Sequence, residues 1–142
     1  MIYFIGEKRS GQAIKNNWHW EDNVSTARFL LGCLLEIGID KSNIIFFNLW
    51  SDDGILNRTL IDVLDNLSKY FENTIVGMGN TVCNELDRHG IKYIKIIHPA
   101  ARGKIRKKEL YTQHLKERLG WTVVTDDILE KYDAVWSELA KL

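Results

Sequence analysis

Four short apolar runs, separated by longer stretches with helical periodicity, constrain the fold of this chain most strongly. The runs are rich in β-branched and aromatic residues and occupy residues 2–5, 44–47, 74–78 and 92–97. Such runs are typical of strands. Because they are too uniformly apolar to leave one face in water, they favour a parallel sheet covered by helices on both sides. The sequence therefore predicts an α/β protein.

The stretches between the runs predict helices. Residues 23–37 carry a helical stripe followed by Gly38, a residue typical of the position after a helix. Further helices are predicted over residues 55–71, over residues 80–89 before Gly90, and twice in the tail 104–142 around Gly120-Trp121-Thr122. The predicted apolar stripes are Ala27, Leu30, Leu31, Leu34 and Leu35 in the first helix, and Leu60, Val63, Leu64, Leu67 and Phe71 in the second.

Length and composition predict one domain over residues 1–142. The chain has 142 residues, the size of one hydrophobic core, which predicts a single domain. It has 19 basic and 19 acidic side chains, so any attraction to nucleic acid must come from local clustering.

Cys33 and Cys83 lack the paired spacing of metal sites and are predicted to be buried thiols. With no signal-peptide pattern and no apolar run of about 18 residues, we expect a cytoplasmic monomer that makes no use of a membrane.

Polar residues follow each predicted strand. In an open parallel sheet, ligands bind outside the carboxyl ends of the strands. Glu7, Asn48 and His98 follow the first, second and fourth runs, and Gly6 allows close backbone approach. A carboxylate, an amide and an imidazole on one rim can orient water, bind an amide-like edge and stabilise an oxyanion. Taken singly, the glutamate also suits a helix cap or ion pair, and a histidine before proline suits a turn.

These motifs resemble the uracil-DNA glycosylase superfamily, and most of all its branch with a Gly-Glu-x-Pro-Gly first motif. The similarity covers Gly6-Glu7 after the first run, Asn48 with Asn57-Arg58 further on, residues 75–81 and His98-Pro99, or about residues 1–115. It implies a three-layer α/β/α fold with a four-stranded parallel sheet. The chain lacks the proline of that motif and the cysteines of the branch's iron–sulfur cluster, so we expect no cofactor and no metal.

The resemblance also implies roles for the rim residues. Glu7 matches the acid that activates water or stabilises the sugar cation, Asn48 matches the amide that binds the uracil edge, and His98 matches the donor to uracil O2. A flipped pyrimidine also needs an aromatic face, for which Trp20 and then Trp18 are the candidates. Trp50, two residues after Asn48, is a weaker candidate for the pocket wall.

A basic segment predicts the DNA-binding surface. Residues 102–118 contain seven basic and two acidic side chains, the basic ones being Arg102, Lys104, Arg106, Lys107, Lys108, Lys116 and Arg118. Lysine and arginine contacts to phosphate supply most sequence-independent affinity for DNA, although a solvated helix face would have the same composition. By the resemblance, Ala100, Ala101 and Arg102 form the loop that enters the duplex.

Three functions therefore stand as hypotheses. The first is a DNA repair hydrolase that flips uracil or a related base out of DNA and cleaves its N-glycosidic bond. The second is a non-catalytic nucleic-acid or nucleotide-binding module of the same fold. The third is an N-glycosidase or transferase acting on free nucleosides through the same rim.

Overall fold

A four-stranded parallel sheet forms the centre of the protein. The computed structural model describes residues 1–22, 26–101, 105 and 107–120. Its strands are β1 (Ile2–Gly6), β2 (Ile44–Asn48), β3 (Ile75–Met78) and β4 (Ile94–Ile96), in the spatial order β2-β1-β3-β4. All three strand pairs are parallel, which confirms the predicted fold class. The carboxyl ends of the strands consequently lie along one border of the sheet.

Five α-helices accompany the sheet in the described part of the chain. They are α1 (Gly11–Asn16), α2 (Thr26–Glu36), α3 (Arg58–Tyr70), α4 (Asn80–Arg88) and α5 (Lys108–Leu119). Gly38 follows α2 with a positive φ of 88°, the left-handed conformation predicted for a residue after a helix. Residues 23–25 and the predicted last helix lie outside the described residues. No described helix has both the length and the apolar character needed to cross a membrane.

Two hydrophobic cores, one on each face of the sheet, make the fold three-layered. Side chains alternate between the faces along each strand. Phe4, Val76 and Ile96 join the core formed with α2 and α5, whereas Ile5 and Ile75 join the core formed with α3 and α4. Cys33 and Cys83 are both buried, as predicted. The site described below lies on the α2 side of the sheet.

Two predicted stripe residues are exposed instead. Leu35 of α2 is 65% exposed and Val63 of α3 is 47% exposed. The buried stripe of α2 widens to Cys33 because the helix packs against α5 as well as the sheet, and the Cys33 thiol lies 3.9 Å from the Lys108 carbonyl oxygen. In α3, Ile61 is buried in place of Val63, which lies about 100° around the helix from Leu64.

Helix α5 covers the free edge of β4. Tyr111, His114 and Arg118, spaced i, i+3 and i+7, lie on one face of the helix. The Arg118 Nε donates to the Lys95 carbonyl at 2.9 Å, the Tyr111 hydroxyl donates to the Ile97 carbonyl at 2.5 Å, and the Ile97 N–H donates to His114 Nε2 at 2.9 Å. The Lys95 carbonyl and both main-chain groups of Ile97 are therefore occupied, which hinders this edge from pairing with another strand.

The sequence pattern did not predict α1. This helix buries none of its residues, so it has no apolar stripe. It forms because the Ser10 hydroxyl accepts a hydrogen bond from the Ala13 N–H and because Asn17 ends the helix in the left-handed conformation, with φ 52°. The turn at Asn17 leads into the segment that carries Trp18 and Trp20.

Candidate functional site

A cavity of about 270 Å³ opens at the carboxyl end of the sheet. It brings together four residues predicted for the site, one from the end of each edge strand and two from the segment after α1. These are Asn48, His98, Trp18 and Trp20. Ala100, predicted for the DNA-binding loop, also lines the cavity. The remaining lining residues were not predicted for the site and are Lys8, Arg9, Ser10, Gln12, Ala13, His19, Glu21, Thr26, Ala27 and Phe46.

Asn48 ends β2, where its backbone pairs with Gly6 of β1. A Cβ atom on Gly6 would stand 2.7 Å from the Asn48 Oδ1 atom and 3.4 Å from the Trp20 Nε1 atom, so only glycine leaves room for this amide. The Trp20 indole N–H donates to Asn48 Oδ1 at 3.2 Å. The amide oxygen is thereby oriented, and the Nδ2 group remains as the donor of the side chain.

Trp20 contributes its ring to an aromatic wall of the cavity. Its ring stacks on Phe46 with the centroids 5.1 Å apart and the planes 10° from parallel. Phe46 lies two residues before Asn48 on β2 and therefore faces the same side of the sheet. That spacing was the signal that could have identified Phe46 from the sequence.

His98 approaches the cavity from the other edge of the sheet. The Ala100 N–H donates to His98 Nδ1 at 3.0 Å, and the ring packs against Gly79, where a Cβ would stand 3.3 Å from the His98 Cβ. Because Nδ1 accepts, the neutral ring carries its proton on Nε2. Burial lowers the pKa of His98, and the charge of Glu7 acts in the opposite direction. The imidazole is therefore held neutral at neutral pH, with a single N–H to donate.

Glu7 lies near the site but does not line the cavity. Its side chain is exposed after the end of β1. Residues 2, 4 and 6 of β1 face the α2 side, so position 7 falls on the opposite phase of the strand. The carboxylate among the described lining residues is instead Glu21, in the 3₁₀ turn Trp20–Asp22.

Arg9 ties the aromatic segment to the loop after β2. Its Nε donates to Asp52 at 3.0 Å, and its Nη1 donates to the Asn17 side chain at 3.1 Å and to the Trp18 carbonyl at 3.4 Å. Hydrogen bonding by the guanidinium holds the pKa of Asp52 below its ordinary value. Arg9 thus fixes where the chain carrying Trp18 and Trp20 crosses the end of the sheet.

The predicted DNA-binding residues are only partly described. The Ala101 N–H donates to the His98 carbonyl at 2.9 Å, which forms a turn next to the cavity. Lys107 is exposed before α5, and Lys108 pairs with Glu36 of α2 at 3.2 Å. Arg102, Lys104 and Arg106 lie outside the described residues.

Trp50 does not wall the cavity. The main chain turns after β2, where the Leu49 N–H donates to the Gly6 carbonyl and the Trp50 N–H to the Glu7 carbonyl. Trp50 then forms a bridge with Leu56 and packs against the core of α3 and α4. The extended geometry assumed for this segment ends at Asn48, so the prediction for Trp50 was wrong.

Among the described residues, no group of three or more histidine, cysteine, aspartate or glutamate side chains could hold a metal ion. Comparisons with protein-family models, with curated proteins and with solved structures gave no match to this chain. The case for a function therefore depends on the cavity and on the strand-end motifs.

Proposed function

We propose that this protein is a DNA N-glycosidase of the uracil-DNA glycosylase type, which hydrolyses the N-glycosidic bond of uracil or a related flipped-out base. The observation that carries the proposal is the shared cavity of Asn48 and His98. The two edge strands that position them are three inter-strand spacings, or roughly 14 Å, apart. A planar ring between them could meet an amide on one side and an imidazole on the other.

The amide favours a base with a keto group. Because Trp20 occupies one acceptor position of Asn48 Oδ1, the Nδ2 group is the donor offered to a ligand. Uracil presents a carbonyl oxygen to such a donor, whereas cytosine presents an amino group at the same position and would leave two donors opposed. A cavity of about 270 Å³ also suits a single base better than a larger ligand.

The imidazole favours departure of the base as an anion. A neutral His98 with its proton on Nε2 can donate to the oxygen on which negative charge develops as the glycosidic bond breaks. Water must then attack the sugar, and a carboxylate can orient it or stabilise the cation. Glu7, which matches the superfamily motif, and Glu21, which lines the cavity, are the two candidates for this role.

Release of free uracil from a uracil-containing oligonucleotide tests the proposal. We expect His98→Ala to lower the rate about 10²–10³-fold, the cost of removing one oxyanion donor. Asn48→Ala should weaken binding and lower the rate as well. His89→Ala is the matched control, because His89 pairs with Glu85 on α4, away from the cavity. Parallel tests of Glu7→Gln and Glu21→Gln identify the carboxylate that acts.

Two results would contradict the proposal. Binding of the oligonucleotide without base release, unchanged in His98→Ala, would favour a non-catalytic binding module. Cleavage of free nucleosides, with an affinity insensitive to salt, would favour a small-molecule enzyme, because binding to DNA phosphates weakens steeply as salt rises.

A further inference from the structure

Ile97 joins β4 to His98, and helix α5 holds both of its main-chain groups. Its carbonyl accepts from the Tyr111 hydroxyl at 2.5 Å, and its N–H donates to His114 Nε2 at 2.9 Å. Tyr111 is 1% exposed, so its ring is fixed within the core, and it also contacts the His114 ring, with the centroids 5.7 Å apart. The residue before His98 is therefore anchored by two side chains of one helix.

The ring of His98 takes its position from the same main chain. Its backbone follows directly from Ile97, its Nδ1 is bonded to the N–H of Ala100, and its Cβ packs on Gly79. A rotation of the Ile97 peptide would move the Cα of His98 and shift the ring in the cavity. None of the described residues that line the cavity belongs to α5, so this influence acts through the backbone.

We propose that Tyr111 and His114 are positioning residues for His98, and that His114 makes this positioning dependent on pH, because only its neutral ring can accept the Ile97 N–H. This inference deepens the proposed function and rests on it where the rate of base release is concerned. The geometric part concerns only contacts within this chain.

The acid–base chemistry of His114 gives the direction of the effect. With Nε2 accepting, the neutral ring carries its proton on Nδ1; a second proton would place an N–H on Nε2 opposite the N–H of Ile97. Burial and the nearby Arg118 lower the pKa of His114, and Glu117 opposes them. Among the neighbouring described elements, Lys95 of β4 bonds to Asn80, and Glu36 of α2 pairs with Lys108. The contact is thus intact at neutral pH and breaks on acidification.

NMR titration of the whole protein from pH 8 to pH 5 tests the geometric part. We expect the amide signal of Ile97 and the ring signals of His98 to shift together with the titration of His114, followed at its own ring proton. His114→Gln supplies an uncharged acceptor near the position of Nε2, so the Ile97 amide should keep its hydrogen bond and lose this pH dependence. His89→Gln, the same substitution at the residue directly after α4, should change neither.

Base release tests the positioning part. At neutral pH we expect His114→Phe, which keeps a ring without the acceptor, to lower kcat about 10–100-fold with little change in KM. His114→Gln should restore the rate and move its acidic limb to lower pH. Tyr111→Phe, which removes only the hydroxyl, should give a smaller loss and provides a second test if His114→Phe does not fold.

The outcomes separate the two proposals. An Ile97 amide that ignores the titration of His114, or that titrates equally in His114→Gln, overturns the inference whether or not the protein releases uracil. NMR coupling in a protein that releases no base supports the geometric inference and counts against the proposed function. Base release that is indifferent to both His114 variants overturns the positioning role alone.

Discussion

At the scale of single residues, Gly6 and Gly79 decide where the two polar side chains of the cavity stand. Each glycine lies where a Cβ atom would press on Asn48 or on His98. The resemblance drew attention to Gly6-Glu7 as a motif, and the structure gives Gly6 a physical reason: the amide of Asn48 occupies the space that a side chain would need. Substitution of a small residue can therefore test the site without removing any polar group.

Gly6→Ala should displace the Asn48 amide, because the new methyl group would lie 2.7 Å from its oxygen. We expect a destabilisation of about 1–3 kcal/mol in urea denaturation, as for other overpacked sites, together with weaker binding of uracil. Gly11→Ala is the control, since a Cβ there meets nothing within 4 Å. Equal effects of the two substitutions would contradict the close packing of Asn48 on Gly6.

The two half-buried imidazoles predict how stability depends on pH. The pKa values of His98 and His114 are lowered in the folded protein from an ordinary value of 6.5, mainly by burial. The unfolded chain therefore takes up protons first, so this contribution to stability is present above about pH 6.5 and is lost as the pH falls through the folded pKa values.

Urea denaturation at pH 7.5 and pH 5.5 measures this loss. The His98→Asn, His114→Gln double variant keeps an acceptor near Nδ1 of the first ring and Nε2 of the second without a titrating group. We expect it to lose less stability than the unmodified chain between the two pH values. An identical loss in both proteins would show that other groups cause it.

At the scale of elements, α5 joins the core to the site. It covers the open edge of β4 and at the same time buries Tyr111, Leu115 and Leu119 against α2 and the sheet. A helix that only shielded the edge could be solvated along most of its length. The burial of three residues shows that α5 is an integral part of the fold.

Leu115→Ala should destabilise the protein by about 2–5 kcal/mol, because Leu115 is fully buried and the substitution leaves a cavity. Leu110→Ala, in the same helix but at a residue that is 45% exposed, should change the free energy of unfolding by no more than about 0.5 kcal/mol. Thermal or urea denaturation of both variants provides the measurement, and similar losses would contradict the packing of α5.

The elements also show what sequence patterns could predict. Strand positions and the parallel arrangement followed from uniformly apolar runs, which report burial on both faces directly. Helix α1 was missed because caps rather than an apolar stripe define it. Leu35 and Val63 were predicted to be buried but are exposed. Periodicity locates the buried stripe of a helix only to within one residue, and the width of that stripe depends on whether a second element packs against the helix.

Sequence could predict the site residues whose side chains continue the alternation of a strand, because that alternation fixes the face of the sheet on which they lie. Asn48 and His98 continue the phases of β2 and β4, and they do share a cavity. Glu7 falls on the opposite phase of β1, and Trp50 comes after the chain has turned away from β2. Neither residue lines that cavity. Glu21 was missed because its position depends on α1, which no pattern announced.

At the scale of the whole molecule, the charges balance at 19 basic and 19 acidic residues, so no net charge draws the protein to DNA. The proposed function requires phosphate contacts from the basic segment that follows His98. Its DNA affinity should consequently depend on a few local lysines and arginines rather than on the overall field.

Neutralising Lys104, Arg106 and Lys107 together should weaken oligonucleotide binding and reduce the slope of log K against log salt by roughly 0.7–0.9 for each phosphate that is no longer neutralised. Exchanging three other lysines, Lys15, Lys41 and Lys69, for glutamine removes the same charge and should leave the slope unchanged. Fluorescence anisotropy over a range of salt concentrations gives both slopes. Equal reductions in the two triple variants would assign the binding to general attraction.

The strand order β2-β1-β3-β4 has a consequence for biosynthesis. Asn48 ends one edge strand, β2, and His98 follows the other, β4, so their meeting requires every intervening strand to be in register. A nascent chain that has left the ribosome only as far as β3 has its amide but no imidazole. The pocket thus comes into being only when the last strand docks, and a ligand that needs both groups would recognise only chains in which assembly of the sheet has finished.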